Sequence, residues 1–215
     1  NGTMYQIFPD RFYAAGRCDC TEKLQPYWVH EDKQDVPVYL PDENGKVWNN
    51  DFYGGNLAGI REKLSYLQEL GGELLYLNPI FFAFSTHRYD TCDYGRIDPM
   101  LGTEEDFRTL CEDAHARGMK VILDGVFSHV GSRSRYFQDA VSNPDSKYRS
   151  WFDFKHYPDT YTSWWGITDL PCIRKDNEDF LRYIIDDEDS IAVHWLRAGA
   201  DGWRLDVVDE LPDRF

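Results

Sequence analysis

The stretch GADGWRLDVVDE, residues 199–210, alternates as a strand does. Trp203, Leu205 and Val207 fall on one face, and Arg204, Asp206 and Val208 on the other. Apolar residues on both faces mark a strand covered on both sides, as in the parallel sheets of α/β proteins. An arginine and a carboxylate on one face of such a strand call for an account. Taken alone, an Arg-x-Asp pair is more often a structural ion pair than a piece of catalytic machinery.

The residues upstream extend the pattern. Glu178 to Ala198 reads as a helix, with Leu181, Ile184, Ile185, Ile191 and Trp195 apolar and Gly199 as its stop. Residues 131–175 are irregular, polar and aromatic. KVILDGVFSH (120–129) reads as one apolar strand. Before it, a helix begins at the capping-box pattern Thr103-x-x-Asp106, carries Phe107, Leu110, Cys111 and Ala114 on its apolar face, and stops at Gly118. ELLYLNPIF (73–81) is another strand, preceded by a helix over 57–70 that Gly71-Gly72 ends. Residues 13–51 read as a long loop, and MYQIF (4–8) as a first strand stopped by Pro9.

Strands alternating with helices imply parallel pairing through right-handed crossovers. A doubly wound sheet and a (β/α)8 barrel both fit. Phe8-Pro9-Asp10-Arg11 stands where a nucleotide-binding sheet would carry its glycine-rich phosphate loop, which removes that sheet's main signal. Residues 131–175 make the third connection much longer than the second, as an inserted subdomain over the strands' C-terminal ends would.

The 215 residues suffice for one large domain with a real core or two small ones. With 23 basic against 38 acidic residues the net charge is −15, which argues against nucleic acid or an anionic membrane surface as partner. A neutral small molecule or polymer suits it better. The 7 Trp, 14 Tyr and 13 Phe serve equally as core or as flat platforms for sugar rings. Five cysteines form no disulfide framework, and Cys18-x-Cys20 is too tight for a zinc knuckle, so free thiols in a reducing, cytoplasmic compartment are expected. There is neither a signal peptide nor an apolar run long enough to span a membrane. The first strand begins so close to Asn1 that the natural N-terminus is expected upstream.

In a parallel sheet the C-terminal strand ends gather at one rim. His87, Tyr89, Asp90 and Asp93 follow the second strand, Asp124, Ser128 and His129 end the third, and Arg204 and Asp206 end the fourth. One buried Asp is usually structural, whereas several carboxylates with His, Arg and Tyr at one rim make a site. A carboxylate held ionised by a neighbouring arginine, together with a second carboxylic acid, suits acetal cleavage. Metal binding stays open but ranks lower, since no His-x-x-x-His spacing occurs.

DGVFSH (124–129) and DGWRLDVVDE (201–210) resemble the first two signature segments of the α-amylase family of glycoside hydrolases. DFYGGNLAGIREKLSYLQELGGELLYLNPIF (51–81) and HRYDTCDYGRIDPMLGT (87–103) resemble its neopullulanase and cyclomaltodextrinase branch, so the likeness runs over nearly the whole chain. The resemblance implies an α/β fold: strands one to four of a (β/α)8 TIM barrel, with a small insertion after the third strand. Residues 1–130 would hold the first three β/α units, 131–175 the inserted subdomain, and 176–215 the third helix and fourth strand.

The same resemblance implies a retaining mechanism on α-linked glucans such as maltooligosaccharides, cyclodextrins, pullulan or starch, with Asp206 as nucleophile and Arg204 as its holder. It makes His129 a hydrogen-bonding partner of the cleaved sugar, Tyr89 its stacking platform, His87 a further binding residue and Asp124 a supporting acid. Asp209 and Glu210 would face the leaving-group side, with helix-start acids as the equal alternative. A homodimer is one assembly the reading allows, and the oligomeric state stays open.

Three departures qualify these expectations. The family's acid/base glutamate and transition-state aspartate follow later strands, so the 215 residues alone are expected to be an inactive part of a catalytic domain. Calcium is the one cofactor implied, yet GGN (54–56) replaces Gly-Gly-Asp, YAAGRCDC (13–20) replaces an acidic loop and Ser128 replaces an asparagine; fewer anionic oxygens weaken a hard-cation site, and no metal ligand is assigned. LPCIRKDN (170–177) departs from the branch's usual stretch and leaves α-1,4 against α-1,6 preference open. The rival readings are a non-catalytic α-glucan-binding or scaffold protein on the same barrel, and a metal-dependent barrel hydrolase.

Overall fold

A computed structural model describes residues 2–16 and 18–215. Four strands, β1 (Met4–Ile7), β2 (Leu74–Leu77), β3 (Lys120–Gly125) and β4 (Gly202–Leu205), form one sheet in that order, each pair parallel. The register sets Gln6 beside Tyr76, Tyr76 beside Ile122, and Asp124 beside Arg204. Since side chains alternate, these residues share one face. Leu75, Leu77, Val121 and Leu123 belong to the opposite face and are fully buried.

Helices supply that cover. Leu57, Ile60, Leu64, Leu67, Phe107, Leu110 and Ala114 are buried in the same apolar cluster as the sheet's leucines. The helix Glu104–His115 starts on the anticipated capping box, with the Thr103 side chain taking the Asp106 amide and the Asp106 carboxylate taking that of Thr103. The cluster continues without a break through Tyr136, Trp151, Phe152 and Phe180, so residues from 131–175 share the core of the strands.

Several elements differ from the sequence expectation. The helix expected over 57–70 is two, Leu57–Glu62 and Leu64–Glu69, because the Lys63 amide turns to the Ile60 carbonyl and tightens one turn. The helix expected over 178–198 breaks into Glu178–Leu181, a π turn Arg182–Asp186 and Ile191–Arg197. Acids 186–189 sit at the break, where they disfavour the negative end of the first helix and favour the positive start of the next. Within the stretch read as irregular lies a helix, Arg135–Ser142, capped by Ser134. Asp93–Ile97 pairs antiparallel with Phe81–Phe82 beyond β2.

β3 also stops short of the expected 129. Phe127 folds back over Gly125, where a Cβ would lie 2.5 Å from its ring, and the chain leaves the sheet. His129 then sits in a loop, bridged antiparallel to Cys172. All five cysteines are free. Among the described residues no helix is long and apolar enough to cross a membrane.

Candidate active site

Asp124 is the centre of a polar chain that crosses all four strands. It is 1% exposed, and burial, opposed by its hydrogen bonds, raises its carboxyl pKa. Tyr76 donates to its Oδ2 at 2.5 Å and Tyr89 to the same oxygen at 2.9 Å. Asn78 passes the chain on, donating to the Tyr89 hydroxyl at 3.0 Å while Gln6 donates to its Oδ1 at 2.9 Å. Burial, then the Asp124 charge, pushes the Tyr89 phenol up to about 12, so it remains a donor at neutral pH.

On the other side of Asp124, Arg204 Nη1 donates to Asp124 Oδ1 at 2.9 Å and to Asp206 Oδ1 at 2.7 Å. Burial opposes the guanidinium charge, but the bonds to the two carboxylates outweigh it and raise its pKa. β4 ends at Leu205, so Asp206 stands just past the strand rather than within it, its amide donating to the Gly125 carbonyl at 3.0 Å. Val207 then takes the left-handed conformation, φ 50 and ψ 46, which is costly for a β-branched residue. Val207 and Val208 are therefore not strand residues, as the alternation had suggested.

Asp206 and Val207 open on a cavity of about 580 Å³ whose wall also holds His87, Tyr89, His129 and Trp164. His87 and Tyr89 reach it from a loop anchored beneath by Arg88, a buried residue at φ 62 whose Nε donates to Asp98 at 2.6 Å. The left-handed turn sends Arg88 inward between its two neighbours. The Tyr89 amide donates to His87 Nδ1 at 3.0 Å, so neutral His87 carries its proton on Nε2, and burial lowers its pKa. His129 is 2% exposed, with no hydrogen-bond partner on either ring nitrogen, and burial lowers its pKa as well. Trp164 Nε1 is likewise buried and unpartnered. The three nitrogens lie beneath the surface of one cavity wall, without a protein partner.

The structure thus brings together Arg204, Asp206, Asp124, Tyr89, His87 and His129. It does not bring Asp209 or Glu210 to the cavity wall: Asp209 is exposed in the turn Val208–Glu210, and Glu210 pairs with Lys175 at 3.1 Å. Sequence reasoning missed Gln6, Tyr76, Asn78 and Trp164. The strand alternation could have put Tyr76 on the face of Asp124, had the register been known.

In the altered calcium loop, polar groups bond to one another. Asn56 caps the helix Leu57–Glu62 by taking the Gly59 amide at 2.7 Å, and its Nδ2 donates to the Ala15 carbonyl at 2.7 Å. Both atoms of the Asn56 amide are thus engaged by protein partners. Arg17, within the same loop, lies outside the described residues. Among the described residues no group of three or more His, Cys, Asp or Glu could hold a metal ion.

Residues 6–215 match the family model described as "Alpha amylase, catalytic domain". The chain is 44% identical over 216 residues to an intracellular maltogenic amylase of Bacillus subtilis (strain 168), covering 98% of this chain and 34% of that one. It is 36% identical over 220 residues to neopullulanase 2 of Thermoactinomyces vulgaris, covering 99% and 34%. Among solved structures, the type III pullulan hydrolase from Thermococcus kodakarensis superimposes with a TM-score of 0.84 at 36% identity, covering 99% of this chain and 39% of that one. The chain spans about a third or less of the length of the curated relatives it matches.

Proposed function

The chain belongs to the α-amylase catalytic-domain family, and from that premise we propose that it carries the nucleophile half of a retaining α-glucan hydrolase or transglycosylase. The observation that carries this reading is the single guanidinium nitrogen shared by Asp124 and Asp206. It fixes one oxygen of Asp206 and leaves the other free at the cavity. Asp206 attacks the anomeric carbon as the glycosidic C–O bond breaks, the leaving oxygen takes a proton from a carboxylic acid, and water or a second sugar then releases the glycosyl group. Asp124 balances Arg204 from behind, so the arginine keeps its place when Asp206 loses its charge on becoming an ester. His129 and Trp164 shape the wall that the sugar meets, and Tyr89 offers its ring.

The second acid is expected from elsewhere. Of the other carboxylates on the cavity wall, Asp90 takes the amides of Phe84 and Ser85, and Asp169 pairs with Lys46 at 3.4 Å. We assign the acid's role to neither, since Asp90 is held by those amides and Asp169 stands in an exposed surface pair. The 215 residues alone therefore bind glucan without cleaving it, and strands beyond β4 would close the sheet into a (β/α)8 barrel.

Asp206→Asn in the whole enzyme tests the assignment. Turnover of maltooligosaccharides falls on the order of 10⁴-fold or more with substrate binding largely kept, and a fluorinated maltosyl donor labels Asp206 in the wild type. A near-wild-type rate in the variant would overturn the nucleophile. A whole protein that binds these sugars and never cleaves them would support the scaffold reading instead.

A further inference from the structure

Four non-glycine residues among those described hold a positive φ: Asn49, Arg88, Trp165 and Val207. Asn49 and Val207 line the cavity, and Arg88 separates two residues that do. Trp165 is different. It takes φ 50 and ψ 27, is 83% exposed and does not line the cavity. A strained backbone and an exposed indole both work against the fold, and no hydrogen bond of its side chain offsets them.

What the strain achieves is an orientation. The Trp165 ring stacks on Trp164 at 5.2 Å and 18° between planes, and Trp164 lies 5.5 Å from the His129 ring. His129 and Trp164 belong to the cavity wall, so an unbroken aromatic path runs from the buried histidine to solvent. One face of Trp165 is covered by Trp164, which leaves the opposite face bare. A pyranose ring has an apolar C–H face that fits such a surface, while its hydroxyls stay in water.

We propose that Trp165 is a platform for a glucose unit of an α-glucan chain lying outside the cavity, remote from the bond attacked by Asp206. Stacking on Trp164 fixes the indole before the sugar arrives, so binding orders little that is not already ordered. The platform rewards chains long enough to reach from the cavity to the rim. This rests on the α-glucan reading of the cavity.

Calorimetric titration of the full chain with maltose and with maltoheptaose tests it, using wild type, Trp165→Ala and Trp165→Phe. In Trp165→Ala the Kd for maltoheptaose rises roughly tenfold while that for maltose is unchanged, and Trp165→Phe recovers most of the loss. Unchanged maltoheptaose affinity in Trp165→Ala overturns the platform with the α-glucan reading intact. An equal loss for both sugars overturns it too, since that marks a disturbed cavity. Wild type that binds neither sugar overturns both readings.

Discussion

The hydroxyl of Tyr89 donates to Asp124 Oδ2 at 2.9 Å, so the ring that faces the cavity is fixed from behind by the acid that also holds Arg204. Orientation of the sugar platform and orientation of the nucleophile therefore share one buried carboxylate.

Removing the hydroxyl should separate these two roles. Tyr89→Phe keeps the ring but leaves the Asn78 amide without its acceptor and Asp124 with one donor fewer. A loss of about 1.5–3 kcal/mol in unfolding free energy is expected, as for a hydrogen bond to a charged group. In the complete enzyme KM for maltooligosaccharides stays near wild type in Tyr89→Phe and rises in Tyr89→Ala, which lacks the ring. Urea unfolding and initial rates check both. Equal KM changes in the two variants would remove the stacking role.

His129 gives a pH prediction of definite sign. Burial holds its imidazole pKa below the usual 6.5, with the Asp206 charge only partly opposing. Between the folded value and 6.5 the unfolded chain binds more protons, so stability rises with pH there. The contribution is complete above about pH 6.5 and is lost as pH falls through the folded value. Wild type should thus lose stability on acidification from about pH 7 faster than His129→Asn, by at most about 1.4 kcal/mol per pH unit. Parallel urea midpoints across that range would refute it.

The sequence made much of this legible, for a physical reason. Helix faces and apolar strands repeat every 3.6 or 2 residues, so Leu57, Phe107, Val121 and Leu123 announce their side of the core. Side-chain chemistry is local too, and the Thr103–Asp106 box was readable from spacing alone. Pairing across strands is not local. Tyr76 and Gln6 join the site through register with β3 and through Asn78, which one strand's alternation does not reveal. Left-handed residues were equally hidden, because neither Arg88, Trp165 nor Val207 is a residue that favours such backbone. Each is set by its surroundings.

Asn56 shows how a single atom distinguishes an amide clamp from a cation site. Asn and Asp cap helices about equally well, so capping alone predicts that Asn56→Asp is neutral. The clamp predicts otherwise. In place of Nδ2 donating to the Ala15 carbonyl at 2.7 Å, the variant sets a carboxylate oxygen against that oxygen. Asn56→Asp should therefore lose about 1–2 kcal/mol in chelator, the cost of a broken, partly buried hydrogen bond. Asn56→Ala, lacking cap and clamp alike, should lose at least as much. Wild type should unfold at the same urea concentration with calcium or with chelator, since the amide does the work a cation would. A calcium-dependent wild type, or an Asn56→Asp variant as stable as wild type in chelator, would return this loop to the metal-binding reading.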